Sequence, residues 1–440
     1  MKRSIEYKIA KRVKEYGGST YYVGGYVRDK LLGIKNKDID IEVHEVDVKT
    51  LKNILSEFGS VKTYGSNFGI FSVSNIDIAL PRIEKNTGRG HKDFEVFVDP
   101  YIGTKKASIR RDFTINALMQ DVLSLEIIDH FNGIKDLNKK VIRHINDDSF
   151  VEDPLRVLRA AQFASRFNFK ISNKTINLCK QIDITALPFE RVEEELKKAL
   201  LQADKPSLFF EYLKKMNQLD YWFYELKQLI GLKQNRKHHP EGDVWKHTMI
   251  VLDEASKYRK EVSDPYSFML LALCHDLGKI ETTQKINGVI HSYGHEKQTK
   301  IIKTFLKRFT NNSDVIKYVC NMSTLHMKPN VLASNNSSIK SSNHMFDDAY
   351  APKDLIYFAL CDHIDNDLNI KQYLFDRYNL YIKTMKKPYV TGNDLIAYGL
   401  KPNDDLKKIL EYAHLLQLAG IDSKSCLKQT LSYAKKLTKS

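Results

Sequence analysis

The chain has 440 residues, 42% of them hydrophobic and 10% aromatic, and a formal net charge of +15. This length suffices for two to four domains, and no apolar run approaches the length of a membrane span, so we expect no membrane partner. The N-terminus lacks the apolar segment of a signal peptide, and the five cysteines form no Cys-x-x-Cys pair. These features argue against a disulfide framework or a zinc knuckle and predict a cytoplasmic protein. The positive charge favours a polyanionic partner.

The hydrophobic pattern changes near residue 150. Before it, strand-like runs at 20–24, 38–46, 69–73, 76–81, 94–98 and 126–129 alternate with short helical ones, which predicts an α+β domain. Beyond it, apolar residues follow helical spacing almost to the end of the chain. A polar stretch from Ser334 to Asn343 predicts a loop between two of these helices.

The first informative motif runs from Tyr22 to Gly33 and reads Tyr-Val-Gly-Gly-Tyr-Val-Arg-Asp-Lys-Leu-Leu-Gly. A short apolar strand leads into Gly24 and Gly25, and a helix that carries Arg28 follows. Paired glycines let backbone N–H groups approach a triphosphate closely, and the arginine adds positive charge. The motif therefore predicts a nucleotide-binding turn.

Two carboxylates follow directly, in Lys37-Asp-Ile-Asp-Ile-Glu42. If this run is a strand, alternation places Asp38 and Asp40 on one face. Adjacent carboxylates repel each other unless a cation lies between them, and Mg²⁺ is a hard ion that takes both carboxylate and phosphate oxygens. Together with the glycine motif, the pair predicts a nucleotidyltransferase head in which Asp38 and Asp40 are catalytic and hold Mg²⁺.

Further along the head, Asp77 is either a third metal carboxylate or an exposed strand residue. Residues 82–94 combine charges with two glycines and predict a mobile loop. Arg110 and Arg111 come just before an expected helix start, where arginines suit triphosphate oxygens.

The helical part opens with Glu152-Asp-Pro-Leu-Arg-Val-Leu-Arg159. Asp153 and Arg156 are neighbours at i, i+3 on a helix. A carboxylate that accepts and a guanidinium that donates match the Watson–Crick edge of cytosine or adenine, whereas guanine and uracil present mismatched groups. The alternative interpretation is a surface salt bridge.

These segments together resemble the class II tRNA nucleotidyltransferases, the CCA-adding enzymes, and the related bacterial poly(A) polymerases. Six elements occur in family order: Gly24-Gly25-x-Val-Arg28-Asp29, Asp38-x-Asp40, the 82–94 loop, Arg110-Arg-Asp-Phe-Thr-Ile-Asn116, Glu152-Asp-x-x-Arg156 and Arg191-Val-Glu-Glu-Glu195.

The resemblance implies specific roles for these residues. Asp38 and Asp40 would bind the catalytic metals, and Asp153 with Arg156 would select CTP and then ATP. The implied nucleotide contacts are Gly24, Gly25, Arg28, Arg111, Asp153, Arg156 and Arg159. A loop such as 82–94 is needed in the family for the switch from C to A addition, so its presence favours full CCA addition, or A addition alone, over CC addition.

A second group of candidate residues lies outside the six elements of this resemblance. His247, the adjacent His275 and Asp276, and Asp362 supply nitrogen and oxygen ligands for a divalent ion, and their order resembles the HD phosphohydrolase superfamily. The resemblance implies a metal-dependent phosphatase and 2′,3′-cyclic phosphodiesterase that uses Mg²⁺, Mn²⁺ or Ni²⁺. His295 and His326 are candidates for a second metal or for phosphate contacts.

The family resemblance implies a polymerase-β-like head with a mixed sheet, followed by an all-α neck, an HD domain and a helical tail. We expect these at 1–145, 146–230, 231–385 and 386–440. The implied partner is tRNA, with CTP and ATP as substrates, and no protein partner is evident. Alternatives are an A-adding enzyme or poly(A) polymerase, an HD phosphohydrolase with a regulatory nucleotide-binding head, and a non-catalytic RNA-binding protein.

Overall fold

The computed structural model describes residues 4–36, 38–64, 69–74, 76–86, 94–235, 239–363, 368–400 and 404–437. Its contacts divide the chain into two compact units, Met1–Trp222 and Phe223–Ser440. Within the described ranges, no helix combines the length and apolar character that crossing a membrane requires. All five cysteines are free and buried, in agreement with a sequence that predicts no disulfide framework.

The first unit is built on a mixed sheet. Its strands are β1 (Ser19–Val23), β2 (Asp40–His44), β3 (Lys62–Tyr64), β4 (Ile70–Val73), β5 (Ile76–Ala79), β6 (Arg82–Asn86), β7 (Phe94–Val98), β8 (Met119–Asp121), β9 (Ile127–Ile128), β10 (Val141–Ile142) and β11 (Lys170–Ile171). Seven of them form one sheet in the order β3-β4-β5-β2-β1-β8-β9. In this sheet β2 and β5 run parallel and the other neighbours antiparallel.

Two helices at the start of the chain pack together beside the sheet. The helices of this unit are α1 (Ile5–Glu15), α2 (Gly25–Leu31), α3 (Val48–Ser56), α4 (Gly103–Ile109), α5 (Gly133–Lys139), α6 (Asp147–Val151), α7 (Leu155–Phe167), α8 (Asn173–Cys179), α9 (Phe189–Gln202) and α10 (Ser207–Lys215). Helix α1 buries Ile9 and Val13 and contacts β1 and α3. Apolar residues at this helical spacing form the stripe that a helix presents to a core.

Helix α7 is the centre of the helical part of this unit and packs against α9 and α10. Its buried residues include Val157, Leu158 and Ala161, while Arg156 and Arg159 on the same helix line a cavity. One helix therefore serves both the core and the functional site.

In the residues that the structure describes, the regular elements of the second unit are helices except for one hairpin, β12 (Gln284–Ile286) and β13 (Val289–His291). Its helices are α11 (Tyr224–Gln228), α12 (Val244–Ser256), α13 (Pro265–Cys274), α14 (Lys279–Thr282), α15 (Thr299–Leu306), α16 (Ser313–Leu325), α17 (Lys328–Ser334), α18 (Ile339–Asp348), α19 (Pro352–Asp362), α20 (Leu368–Thr384), α21 (Gly392–Ala397), α22 (Asp404–Leu418) and α23 (Ser423–Leu437). Helix α13 is buried from Tyr266 to Cys274 and contacts α12, α16 and α19.

The sequence predicted the α+β class of the first unit, but several of its elements differ from those expected. Strand β2 begins at Asp40, so Asp38 lies in the preceding loop and not on the strand as alternation suggested. The expected loop at 82–94 is in part a hairpin, because β6 and β7 pair from Arg82 opposite Val98 to Asn86 opposite Phe94. Residues 87–93, with both glycines of that loop, lie outside the described residues.

The polar stretch 334–343 is also shorter as a loop than predicted. Helix α18 already begins at Ile339, and the Ser338 side chain accepts a hydrogen bond from the backbone N–H of Ser341. Serine at an N-cap starts a helix even where the composition resembles a loop.

Candidate active sites

The glycine pair forms the turn between β1 and α2. Gly24 has a φ of 65°, a conformation that side chains with a Cβ rarely adopt. A Cβ at this position would lie 2.9 Å from Nη1 of Arg111. Glycine therefore allows the backbone to approach the cationic side of the site closely.

Three carboxylates, those of Asp38, Asp40 and Asp77, lie near the N-terminal ends of strands β2 and β5. Asp40 and Asp77 are directly opposite each other in the parallel pair. The backbone N–H of Asp38 donates to the side-chain oxygen of Asn36 at 2.9 Å, which fixes the loop just before β2. The pKa of Asp40 is raised, because burial and the charges of Asp77 and Asp38 outweigh the lowering by Arg111. Carboxylates that repel one another in this way fit a hard divalent cation.

A cavity of about 430 Å³ adjoins these carboxylates. Seven cationic side chains and three acidic ones contribute to its wall, so it suits a polyanionic ligand. The lining residues are Gly24, Gly25, Arg28, Asp40, Arg110, Arg111, Asp112, Asn116, Asp153, Arg156, Arg159, Gln162, Phe163, Arg166 and Lys198. All seven residues predicted to contact the nucleotide are in this list.

Arg28 is held in the cavity wall by both aromatic and polar contacts. Its guanidinium carbon lies 5.1 Å from the ring centroid of Phe163 and 4.7 Å from that of Phe167. It also donates to Asp29 at 2.7 Å and to Asn116 at 2.6 Å. Burial lowers its pKa, while Asp29 opposes that shift. Arg28 therefore contributes a positive charge at one defined place.

Glu42 supports the two adjacent arginines. Its Oε2 lies 3.4 Å from Arg111 and 3.6 Å from Arg110, and its Oε1 lies 3.0 Å from His44. Burial by itself would raise the pKa of Glu42, but His44, Arg111 and Arg110 lower it to about 2. The alternation Asp38-x-Asp40-x-Glu42 could have indicated Glu42 as a site residue, but Glu42 was not predicted as one.

Arg159 is oriented by a second buried carboxylate. Its Nη2 lies 2.6 Å from Asp112, and Asn116 donates to the same carboxylate at 2.9 Å. Burial by itself would raise the pKa of Asp112, but the charge of Arg159 outweighs burial, and the pKa lies below its ordinary value. The Arg-Arg-Asp segment contained Asp112, yet nothing local indicated its partner 47 residues away.

The expected base-selecting pair occupies the cavity wall, but its members do not bind each other through their side chains in the bonds described. Arg191 contacts the Asp153 carboxylate at 3.1 Å. Arg156 donates to the backbone carbonyl of Ser149 and, at 2.6 Å, to that of Arg110. A base that binds this pair must share or replace those partners.

In the second unit, the four predicted HD residues come together. His247 lies on α12, His275 and Asp276 follow the end of α13, and Asp362 is the last residue of α19. Nε2 of His247 lies 2.9 Å from Asp362, and Nε2 of His275 lies 3.5 Å from it. His275 is the C-cap residue of its helix, so the backbone after it leaves the helix and Asp276 can face the same point.

Three histidines of this unit share one orientation. Nδ1 of His275, His295 and His326 lies 3.1, 2.8 and 2.6 Å from a backbone carbonyl three residues earlier. A ring nitrogen that donates to a carbonyl leaves Nε2 unprotonated and available to a metal. These contacts favour the metal-binding tautomer in all three rings.

The two oxygens of Asp276 face different histidines. Oδ2 lies 3.4 Å from Nε2 of His275, and Oδ1 lies 3.3 Å from His295 and 4.0 Å from His326. Ligand atoms of His247, His275 and Asp362 lie within 4.8 Å of one another, and so do those of Asp276, His295 and His326. Within the described residues, buried Nε2 of His275 and Oδ1 of Asp276 make no hydrogen bond, as suits atoms that bind a cation.

The electrostatics of this cluster also favour a cation. Burial would lower the pKa of His247, but Asp362 and Glu241 raise it to about 9. The Nζ of Lys279 lies 2.7 Å from Asp276. Neither Glu241 nor Lys279 was predicted as a site residue, although Glu241 lies six residues before His247 and Lys279 three residues after Asp276.

Comparison with known proteins places the chain in a family. The model of the poly A polymerase head domain matches residues 20–143. The multifunctional CCA protein of Actinobacillus pleuropneumoniae serotype 5b (strain L20) is 36% identical over 316 residues, which cover 70% of this chain and 74% of that protein. That of Methylobacillus flagellatus is 37% identical over 302 residues, or 67% of this chain and 70% of that protein.

The fold has matches among solved structures. A CCA-adding enzyme in complex with ATP superposes with a TM-score of 0.69 at 22% identity, over 98% of this chain and 93% of that one. The Thermotoga maritima CCA-adding enzyme in complex with tRNA superposes with a TM-score of 0.65 at 22% identity, over 98% and 95%. With the sequence relatives, these matches lead to one conclusion: the chain belongs to the family of multifunctional CCA proteins, whose fold is that of the CCA-adding enzymes.

Proposed function

We propose that this protein adds the CCA sequence to the 3′ end of tRNA from CTP and ATP, without a nucleic-acid template. The observation that carries the proposal is the cavity beside Asp40 that contains all seven predicted nucleotide-binding residues. Family membership supports it, since the relatives are named multifunctional CCA proteins. We place this activity in the cytoplasm.

In the proposed reaction the 3′-hydroxyl of tRNA attacks the α-phosphate of the bound nucleotide, and pyrophosphate leaves. Asp38 and Asp40 would hold Mg²⁺, which when bound would supply Lewis-acid stabilisation of charge on the hydroxyl and the phosphates. Asp77, opposite Asp40, is available as a third carboxylate. Arg28 and Arg111 bind the triphosphate through fixed positive charges and so orient the α-phosphate for attack.

We propose that Asp153 and Arg156 read the base of the nucleotide. The Asp153 carboxylate would accept from the exocyclic amine that cytosine and adenine share, while Arg156 donates to a ring nitrogen or carbonyl oxygen. Arg191 holds Asp153 and would limit its motion. The pair would therefore reject guanine and uracil, which present a carbonyl oxygen where adenine and cytosine present the amine.

The test is incorporation into tRNAs of defined 3′ end. We would supply CTP and ATP separately to tRNA that lacks CCA and to tRNA that ends in CC. Addition of two C residues to the first substrate and one A to the second would support CCA addition. Addition of A alone would support an A-adding enzyme, long A tracts would support a poly(A) polymerase, and no addition by the folded protein would overturn the proposal.

We further propose a metal-dependent phosphoesterase in the second unit. His247, His275, Asp276 and Asp362 would hold one divalent ion, and Asp276, His295 and His326 a second one. Such ions lower the pKa of bound water and so supply a hydroxide nucleophile. A 2′-phosphate or 2′,3′-cyclic phosphate fits as substrate, because its removal prepares an RNA end for nucleotide addition.

This second proposal is tested by phosphate release from 2′- and 3′-phosphorylated nucleotides and by opening of a 2′,3′-cyclic phosphate. Each assay is run with Mg²⁺, Mn²⁺, Ni²⁺ and no added metal, and bound ions are counted by elemental analysis. Activity with two ions per chain beyond those of the head would support it. Absence of activity with every ion would leave the head proposal intact and overturn this one.

A further inference from the structure

The loop before α12 contacts the HD cluster, which consists of His247, His275, Asp276 and Asp362. The loop itself supplies none of these four residues. A bridge between Lys233 and Asp243 closes the base of this loop, and the Asp243 carboxylate accepts from the backbone N–H of Gly231 at 2.6 Å. Within the loop, the backbone N–H of Gln234 donates to the carbonyl of Gly242 at 3.3 Å. Residues 236–238 lie outside the description.

Glu241 of this loop lies against His247. Its Oε1 is 2.8 Å from Nδ1 of His247 and 3.2 Å from Nδ1 of His239. Glu241 and His247 are both buried, with side chains 7% and 1% exposed. Within the described residues Nδ1 of His247 makes no well-aligned hydrogen bond, so the 2.8 Å contact with Glu241 is a charge contact within reach of the Nδ1 proton, while Nε2 faces Asp362.

His247 differs in this respect from the other histidines of the cluster. His275, His295 and His326 each have Nδ1 next to a carbonyl of their own segment. His247 is the fourth residue of α12, and its Nδ1 faces the Glu241 carboxylate instead. A carboxylate partner makes the imidazole a stronger electron donor than a carbonyl does.

The same loop reaches a second ligand. Gln234 accepts from Nζ of Lys279 at 2.7 Å, and Lys279 also contacts Asp276 at 2.7 Å. The Gln234 amide donates in turn to Glu241 at 3.5 Å. A continuous chain of polar contacts thus runs from Asp276 through Lys279, Gln234 and Glu241 to His247.

From this geometry we infer that Glu241 is a positioning residue of the HD metal centre, which holds His247 in its metal-binding tautomer and, through Gln234 and Lys279, is linked to Asp276. The inference rests on the metal centre proposed above. Glu241 acts through His247 and does not bind the ion itself.

The test measures the metal affinity of the full chain in an Asp38→Ala, Asp40→Ala background, which removes the proposed metal ligands of the head. Glu241→Ala and Glu241→Gln are titrated with Co²⁺ and Ni²⁺. The matched control is Glu254→Gln, which removes the same charge from a partly exposed carboxylate of α12 that pairs with Lys257. We expect Glu241→Ala to weaken binding about 10- to 100-fold, Glu241→Gln less, and the control less than about 2-fold.

Two further readouts separate positioning from other roles. The visible spectrum of Co²⁺ at saturation should keep its band intensity in Glu241→Ala, because the ligand number is unchanged, whereas His247→Ala should alter it. The melting temperature of metal-free Glu241→Gln should match that of the control.

Four outcomes would overturn the inference. Unchanged affinity in Glu241→Ala would exclude a positioning role. A saturated spectrum altered as in His247→Ala would make Glu241 a ligand, and a lower melting temperature without metal would make its role structural. Absence of Co²⁺ and Ni²⁺ binding by the parent protein would overturn the metal centre and this inference with it.

Discussion

At the scale of single residues, the head site is a set of arginines whose positions depend on buried carboxylates. Glu42 faces Arg110 and Arg111, and Asp112 faces Arg159. Arginines that are held in advance lose less side-chain entropy when a triphosphate binds. We therefore expect these carboxylates to improve nucleotide binding without being ligands themselves.

Glu42 gives a stability prediction with a defined pH range. Its folded pKa of about 2 lies below the ordinary 4.5, so its charge stabilises the fold above about pH 4.5, and that contribution is lost as the pH falls towards 2. The lowering corresponds to roughly 3 kcal/mol. We expect Glu42→Gln to lower the melting temperature most at pH 6–7 and progressively less below pH 4.5.

The measurement is a series of thermal unfolding scans of both proteins between pH 7 and pH 3. Glu15→Gln, at an exposed pair with Arg12, is the control and should show little difference at any pH. A difference between wild type and Glu42→Gln that grows on acidification would contradict the assignment.

Asp153 and Arg156 give a prediction about selectivity. Asp153→Ala or Arg156→Ala removes hydrogen bonds to the base edge, which costs about 1–3 kcal/mol of discrimination. We expect kcat/KM for CTP and ATP to fall toward that for GTP and UTP. Competition between all four nucleotides in one reaction measures this, and unchanged rejection of GTP and UTP would show that these two residues do not select the base.

At the scale of elements, helix ends and strand ends carry the chemistry. Asp40 begins β2, Gly24 and Gly25 are the N-cap and first residue of α2, and His275 and His326 are the C-cap residues of α13 and α16. Backbone carbonyls near a helix C-terminus lack helical partners, so they are available to orient a histidine. Placing metal ligands there gives a fixed tautomer without additional residues.

The β6–β7 hairpin allows a sharper test of the A-addition loop than deletion. Asn86 and Phe94 are directly opposite, so a two-residue Asn-Gly turn can replace 87–93 and keep the strand register. We expect this variant to add C residues normally and to lose most A addition, because the replaced segment would rearrange when the primer end changes. Gel analysis of tRNA products measures it, and a normal CCA product would remove the role of this segment.

At the scale of the whole molecule, the two clusters of chemistry lie in different compact units. We expect Asp40→Ala to abolish nucleotide addition and leave phosphoesterase activity unchanged. His275→Ala should do the reverse, since each variant removes a ligand from a different metal centre. Parallel assays of both activities, with tRNA binding and circular dichroism as folding controls, measure this. Loss of both activities in either folded variant would contradict independent sites.

The sequence by itself determined the chemical groups and their local setting. The strand, glycine pair and helix around Gly24 follow from short-range pattern, and so do the α+β class of the first unit and the helical character of the second. Local propensity and motif spacing suffice for statements of this kind.

Only the tertiary structure decided which groups meet. Asp77 lies opposite Asp40 because β5 pairs in parallel with β2, and Phe163 stacks on Arg28 because α7 packs beside the glycine turn. His247 and Asp362 are 115 residues apart, and Glu241 contacts His247 from the loop before α12. Contacts between distant segments depend on packing and strand register, which hydrophobic periodicity along the chain does not specify.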